Sequence, residues 1–174
     1  MQKMSDKEKT EAILNYLKSI SNKSIWAEEL FMASGVRRCD FWTLSPHTSK
    51  GYTATAYEIK VSRQDFKKDT YDKQRYARLY SDYFFYVAPK GLVAKEEIPD
   101  WAGLIEYNFD TKSIKHTVKA PRRDKDAPSW ELVVSIIRNS GDVRRDTDIL
   151  KDEISRLKWV NANLNSSLKK HRGY

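Results

Sequence analysis

The stretch from Arg37 to Phe66 constrains the fold more than any other: RRCDFWTL, a short polar loop, then TATAYEIKVSRQDF. Both apolar-rich segments read as β-strands. Side chains in an extended chain alternate faces, so Glu58 and Lys60 project to one side and Tyr57, Ile59 and Val61 to the other. The apolar set is expected to face a core and the charged pair a site. In the preceding strand, Arg38, Asp40 and Trp42 share one side, with Cys39, Phe41 and Thr43 opposite. The loop SPHTSKG carries Pro46 and Gly51, and an antiparallel hairpin is the economical connection. That pairing brings Asp40 next to Glu58.

Those residue types support one kind of chemistry. Two carboxylates and a main-chain carbonyl, here that of Ile59, form a hard-oxygen set suited to Mg²⁺, which keeps several of its own waters. Such an ion lowers the pKa of a bound water and offsets charge building on phosphorus. Lys60 beside the cluster is placed to orient or deprotonate the water and to hold a phosphate as a point charge. Asp40 followed by Glu58-Ile59-Lys60 at a strand end, with a helix behind it, resembles the PD-(D/E)XK nuclease superfamily. Within it, GVRRCDFWTL and AYEIKVSRQDF resemble the MmcB-like DNA-repair-associated proteins, over roughly residues 25 to 107.

The resemblance implies a restriction-endonuclease-like αβββαβ core, Mg²⁺ or Mn²⁺ at Asp40 and Glu58, and Lys60 as the catalytic lysine. An upstream glutamate completing the site would be Glu29, with Glu28 and Glu11 as alternatives, and a glutamine in the following helix would be Gln74. Cys39 stands where the superfamily name has proline. Arg78 stands where some subfamilies carry tyrosine, a departure from the exonuclease-type pattern.

The rest of the chain supplies the frame. SDKEKTEAILNYLKSI, residues 5–20, sets Ala12, Ile13, Tyr16, Leu17 and Ile20 on one face, with Ser5 and Glu8 as a capping box. IWAEELFM reads as a strand, and Ser62 with Asp65 starts a helix in which Arg63, Lys67, Lys68, Lys73 and Arg75 interleave with Tyr71, Tyr76 and Tyr80. Basic groups mixed with aromatics can track a phosphate backbone, and with Arg38 these form the expected nucleic-acid wall. The run from Asp82 to Ala88 is expected as a buried strand, Ala102–Tyr107 as another, and 113–119 as its hairpin partner. The expected class is thus an α/β (α+β) mixed sheet with a C-terminal helical extension.

Composition shifts at PRRDKDAP. The expected division is a nuclease-like domain over 1–120, a linker and short helix over 121–142, and a coiled-coil helix with a basic tail over 143–174. Thr147, Leu150, Ile154, Leu157, Asn161, Leu164 and Leu168 step by threes and fours, a heptad seam whose β-branched and asparagine positions favour a parallel homodimer.

Net charge is +8 among 174 residues, which suits a polyanion partner, DNA before RNA. No apolar run approaches the roughly 20 residues of a membrane span and no signal-peptide pattern opens the chain, so a cytoplasmic or nucleoid-associated location without membrane contact is expected. The single cysteine excludes an internal disulfide, and scattered His47, His116 and His171 give no zinc spacing. No phosphate-binding glycine loop is present. Two function classes follow: a metal-dependent DNA endonuclease in repair, recombination or mobile-element biology, or a non-catalytic nucleic-acid-binding or assembly protein on the same fold.

Overall fold

Local capping starts the first helix. Ser5 Oγ accepts from the Glu8 amide at 3.3 Å and Glu8 Oε2 accepts from the Ser5 amide at 2.7 Å, closing the expected capping box of α1, Asp6–Ile20. The structure is a computed structural model that describes residues 4–33, 37–140 and 154–164. Behind α1 come β1 (Ile25–Ala33), β2 (Arg37–Leu44), β3 (Ala54–Ile59), α2 (Arg63–Lys67), α3 (Arg75–Leu79), β4 (Tyr83–Pro89), β5 (Gly103–Asn108), β6 (Ser113–Val118) and α4 (Trp130–Asn139).

The strands form one six-stranded mixed sheet in chain order. The β3–β4 and β4–β5 pairs are parallel, and the others antiparallel. Alternation along β3 sorts the two faces. Tyr57 and Ile59 join Phe41, Val87, Ile105 and Tyr107 beneath Ile13 and Leu17 of α1. Ala54 and Ala56 join Trp42, Phe84, Tyr86 and Leu104 on the opposite face, under Phe66 of α2, Ala77 of α3 and Leu132 of α4. Glu58 and Lys60 follow the parity of Ala54 and Ala56, so they end on the face covered by α2 and α3.

Alternation along β1 and β2 is broken where the sequence predicts it to be regular. Glu29 sits at φ 52, a left-handed conformation that a side chain with a Cβ adopts at a cost of about 1–3 kcal/mol. The turn of that one residue lets Leu30 and Met32 join the cluster of Ala27 despite their opposite numbering parity. Across the ladder, between the pairs Glu28–Phe41 and Leu30–Cys39, the same slip affects β2. Cys39 packs with Trp42 rather than with Phe41. Asp40 is the residue at which β2 changes parity.

The helix expected after Ser62 is two short helices. Between them Asp69 Oδ1 accepts from the Thr70 amide at 3.1 Å and Thr70 Oγ1 from the Lys73 amide at 3.3 Å. Such short polar side chains offer the backbone an alternative to helical pairing. The break turns Asp69 inward. Segment 121–128 lies against this layer: the Arg123 guanidinium donates to the carbonyls of Arg78 (2.6 Å) and Leu79 (2.8 Å) at the end of α3, and Lys125 pairs with buried Asp82 at 2.8 Å. α4 packs on β1, where Ser135 Oγ accepts from the edge amide of Phe31 at 3.2 Å, covering an edge that would otherwise be open to pairing.

The chain divides into two units, Met1–Ser140 and Gly141–Tyr174. In the second, residues 154–164 are helical, and Ile154, Leu157 and Leu164 of the expected seam are exposed. Thr147, Leu150 and Leu168 of that seam, and the basic Lys169, Lys170 and Arg172, lie outside the described residues. Among the described residues no helix is long and apolar enough to cross a membrane.

The strained Glu29 position gives a direct test. Glu29→Gly is expected to raise the unfolding free energy by about 1 kcal/mol in urea titration, because glycine occupies this φ without penalty; the exposed pair that Glu29 makes with Arg38 offsets little of that gain. A destabilised variant would show that the backbone there is unstrained.

Candidate active site

The β2–β3 ladder runs as far as Phe41–Tyr57, and one step further its register sets Asp40 opposite Glu58. There the ladder gives way to a side chain. Asp40 Oδ2 accepts from the Ile59 amide at 2.7 Å, fixing the Asp40 carboxylate against the peptide next to Glu58. Lys60 Nζ donates to Glu58 Oε1 at 2.8 Å and lies 3.6 Å from both Asp65 Oδ2 and Asp69 Oδ2. Glu58 and Lys60 are only 8% and 6% exposed. Sequence reading and structure agree on bringing Asp40, Glu58, Ile59 and Lys60 together.

Charge in this enclosure is unbalanced. Burial pushes the Asp40 carboxyl up to about 6, opposed by the Ile59 amide and Lys60. Burial and then the Asp40 charge push Glu58 up to about 8, against the pull of Lys60. Burial alone would depress Lys60, yet Glu58, Asp69 and Asp65 together raise it above its ordinary value. Lys60 is therefore an ammonium here, an electrostatic anchor rather than a proton acceptor. Burial first, and then Glu58 and Asp40, also hold the Cys39 thiol in its neutral form.

One atom carries particular weight. Glu58 Oε2 is buried with no hydrogen-bond partner among the described residues, and leaving a buried oxygen in that condition costs about 1–3 kcal/mol. A divalent cation would satisfy it, and the donors that fit one are Glu58, Asp40 and the Ile59 carbonyl, all hard oxygens. Among the described residues no three His, Cys, Asp or Glu side chains converge as a ready-made set, so the fit rests on two carboxylates and the backbone.

The faces of the sheet separate the upstream glutamates. Glu28 pairs with Lys18 of α1 at 2.5 Å, and Glu11 lies on α1 within 3.9 Å of Lys7. Both belong to the face opposite Glu58. Glu29 is near enough to raise Asp40 electrostatically, but its carboxylate is held by Arg38 at 2.7 Å, and Arg38 also lies over the Phe31 ring at 4.5 Å.

Gln74 is buried and donates to both oxygens of Asp69, at 3.0 and 2.8 Å. Its place is one shell away from Lys60, positioning Asp69. Of the expected nucleic-acid residues, Arg63 is engaged bidentately by Glu97 at 2.5 and 2.6 Å and donates to the Leu92 carbonyl. Lys73 donates to the Lys68 carbonyl. Lys67, Lys68 and Arg75 are exposed.

Two contributors escaped the sequence reading. Asp69 anchors Lys60 with a side chain only 2% exposed, and Tyr86, level with Glu58 in the β3–β4 ladder, hydrogen-bonds Asp69 and has its phenol pushed up by burial and that charge. The signals were there: a turn-forming Asp69-Thr70 inside a predicted helix, and a phenol at the same-face position as Phe84 in an apolar strand.

No family model matches the chain, and no curated protein matches it. A solved structure of a protein of unknown function from Silicibacter pomeroyi has a similar fold, with TM-score 0.59 and 21% identity over 87% of this chain and 94% of that one.

The raised carboxyls set a pH dependence. With ordinary values of 3.8 and 4.5 in the unfolded chain and about 6 and 8 when folded, the native state holds protons the unfolded chain has released between pH 4 and 8. Stability in chelator should therefore fall as pH rises through that window, by up to about 1.4 kcal/mol per pH unit for each retained proton. Urea titrations at pH 5 and pH 8 should show the fall, and Glu58→Gln should flatten it and be the more stable protein at pH 8. A Glu58→Gln protein with an unchanged slope would contradict the shift.

Proposed function

We propose that the protein is a metal-dependent nuclease that hydrolyses phosphodiester bonds in DNA, with a restriction-endonuclease-like core. The observation that carries this reading is the buried Glu58 Oε2, without a hydrogen-bond partner among the described residues, beside Asp40 and Lys60. Asp40, Glu58 and the Ile59 carbonyl would hold Mg²⁺ or Mn²⁺, which when bound supplies an activated water and charge compensation at phosphorus. The chain's own contribution is positional. The Asp40 carboxylate is immobilised by the Ile59 amide, and the Lys60 ammonium, held also by Asp69, offers a point charge for a phosphoryl oxygen. Asp69 in turn is fixed by Gln74 and Tyr86. Exposed Lys67, Lys68 and Arg75 supply phosphate contacts.

The expected activity is Mg²⁺- or Mn²⁺-dependent cleavage of plasmid or linear DNA, with losses of at least a hundredfold in Asp40→Ala and in Lys60→Ala. Both variants cutting as wild type would remove the site, and no cleavage of any DNA by a folded wild type would favour the non-catalytic binding protein. Metal binding is read separately. Mn²⁺ at pH 8 should raise the Tm of wild type and not of Glu58→Gln, since a ligand bound only by the native state stabilises it.

The seam through Ile154, Leu157, Asn161 and Leu164 supports a parallel coiled-coil homodimer, which would present two sites to one substrate. Sedimentation should give a dimer for the full chain and a monomer for a chain ending at Ser140. Equal association states in the two would remove the C-terminal helix as the dimerising element.

A further inference from the structure

A cleft of about 600 Å³, including its open mouth, adjoins the Lys60 cluster. Its walls include Phe66, Tyr71, Tyr86 and Trp101, with Lys67 at the rim and Asp69 between cleft and cluster, 3.6 Å from Lys60. Tyr71 is 55% exposed, so its ring is open to a ligand. Tyr71 and Trp101 meet edge to face with centroids 5.8 Å apart. Arg78 lies 4.0 Å from the Tyr71 ring and 4.4 Å from the Trp101 ring, and it lines the neighbouring cavity with Asp82 and Arg123, not this cleft. The two rings are thus braced by a cation from another side while they remain part of the cleft wall.

We propose that this cleft receives an unpaired nucleobase, so that the substrate of the adjoining site is DNA with a single-stranded segment or an extruded nucleotide. Aromatic faces stack on any base, which makes such a pocket tolerant of sequence. Within an intact duplex both faces of a base are covered by its neighbours, and only an unpaired or flipped base can enter. Exposed Lys67 and Lys68 at the end of α2 stand where a strand leading into the cleft would carry phosphates. Asp69 ties base binding to the reacting cluster. The choice of DNA rests on the nuclease reading; the binding itself does not.

The test is fluorescence anisotropy of the full chain in chelator, with a labelled single-stranded oligonucleotide and a blunt duplex of the same length. Single strand should bind the tighter. Tyr71→Ala should weaken single-strand binding about tenfold, in line with the stacking of one base, leave duplex binding unchanged, and be rescued by Tyr71→Phe. A 2-aminopurine in the strand should be quenched by wild type and not by Tyr71→Ala, a reading of stacking that loss of affinity alone cannot mimic. Equal affinity for the two DNA forms, no quenching by wild type, or a Tyr71→Ala loss shared equally by duplex would overturn the proposal. The two readings separate cleanly. Asp40→Ala and Glu58→Ala should keep single-strand binding while losing cleavage, whereas efficient duplex cleavage without single-strand preference would sink the cleft and spare the nuclease.

Discussion

Everything about this site follows from placing two carboxylates against each other, Glu58 buried and Asp40 partly so. Asp40 and Glu58 face one another across the β2–β3 seam, and both are driven toward their protonated forms by burial. One ammonium answers them. Lys60 is shared among Glu58, Asp65 and Asp69, and one Glu58 oxygen is left without a hydrogen-bond partner among the described residues. A buried ion pair is weak evidence for stability, because desolvation offsets the attraction. An over-supply of buried carboxylate is the feature on which the proposed metal site rests.

The surrounding fold is shaped to keep that arrangement in place. Left-handed Glu29 and the matching change of parity at Asp40 let β1 and β2 bury Leu30, Met32 and Cys39 beneath the cluster while Asp40 reaches the Ile59 amide. Strain at such a residue persists only when its surroundings over-determine it. The break between α2 and α3 turns Asp69 inward, and Gln74 and Tyr86 then hold its carboxylate. The parallel β3–β4 pair sets Tyr86 level with Glu58, which is why a core residue of one strand supports a charged residue of the next.

Much of this was legible in the residues. Period-two alternation along AYEIKV placed Glu58 and Lys60 together, and hairpin logic placed Asp40 beside them, because β3 is regular and pairs antiparallel with β2. The capping box of α1 and the cap at Ser62 were readable because they depend on local side-chain chemistry. The parity slip at Glu29 was not, since nothing in IWAEELF marks a left-handed residue. The helix break is hidden in the sequence because the basic–aromatic pattern of residues 63–80 suits a helix, while Asp69 and Thr70 prefer the turn. Arg63 looked like a phosphate ligand until tertiary packing brought Glu97 from beyond β4 to meet it.

The decisive measurement is a crystal structure of the protein grown with Mn²⁺, read from anomalous scattering. A single strong peak touching Glu58 Oε2 and a carboxylate oxygen of Asp40, with Lys60 still held by Asp69, is the predicted result. A well-ordered site with no peak, or with Mn²⁺ bound elsewhere and Lys60 as its only cation, would contradict it.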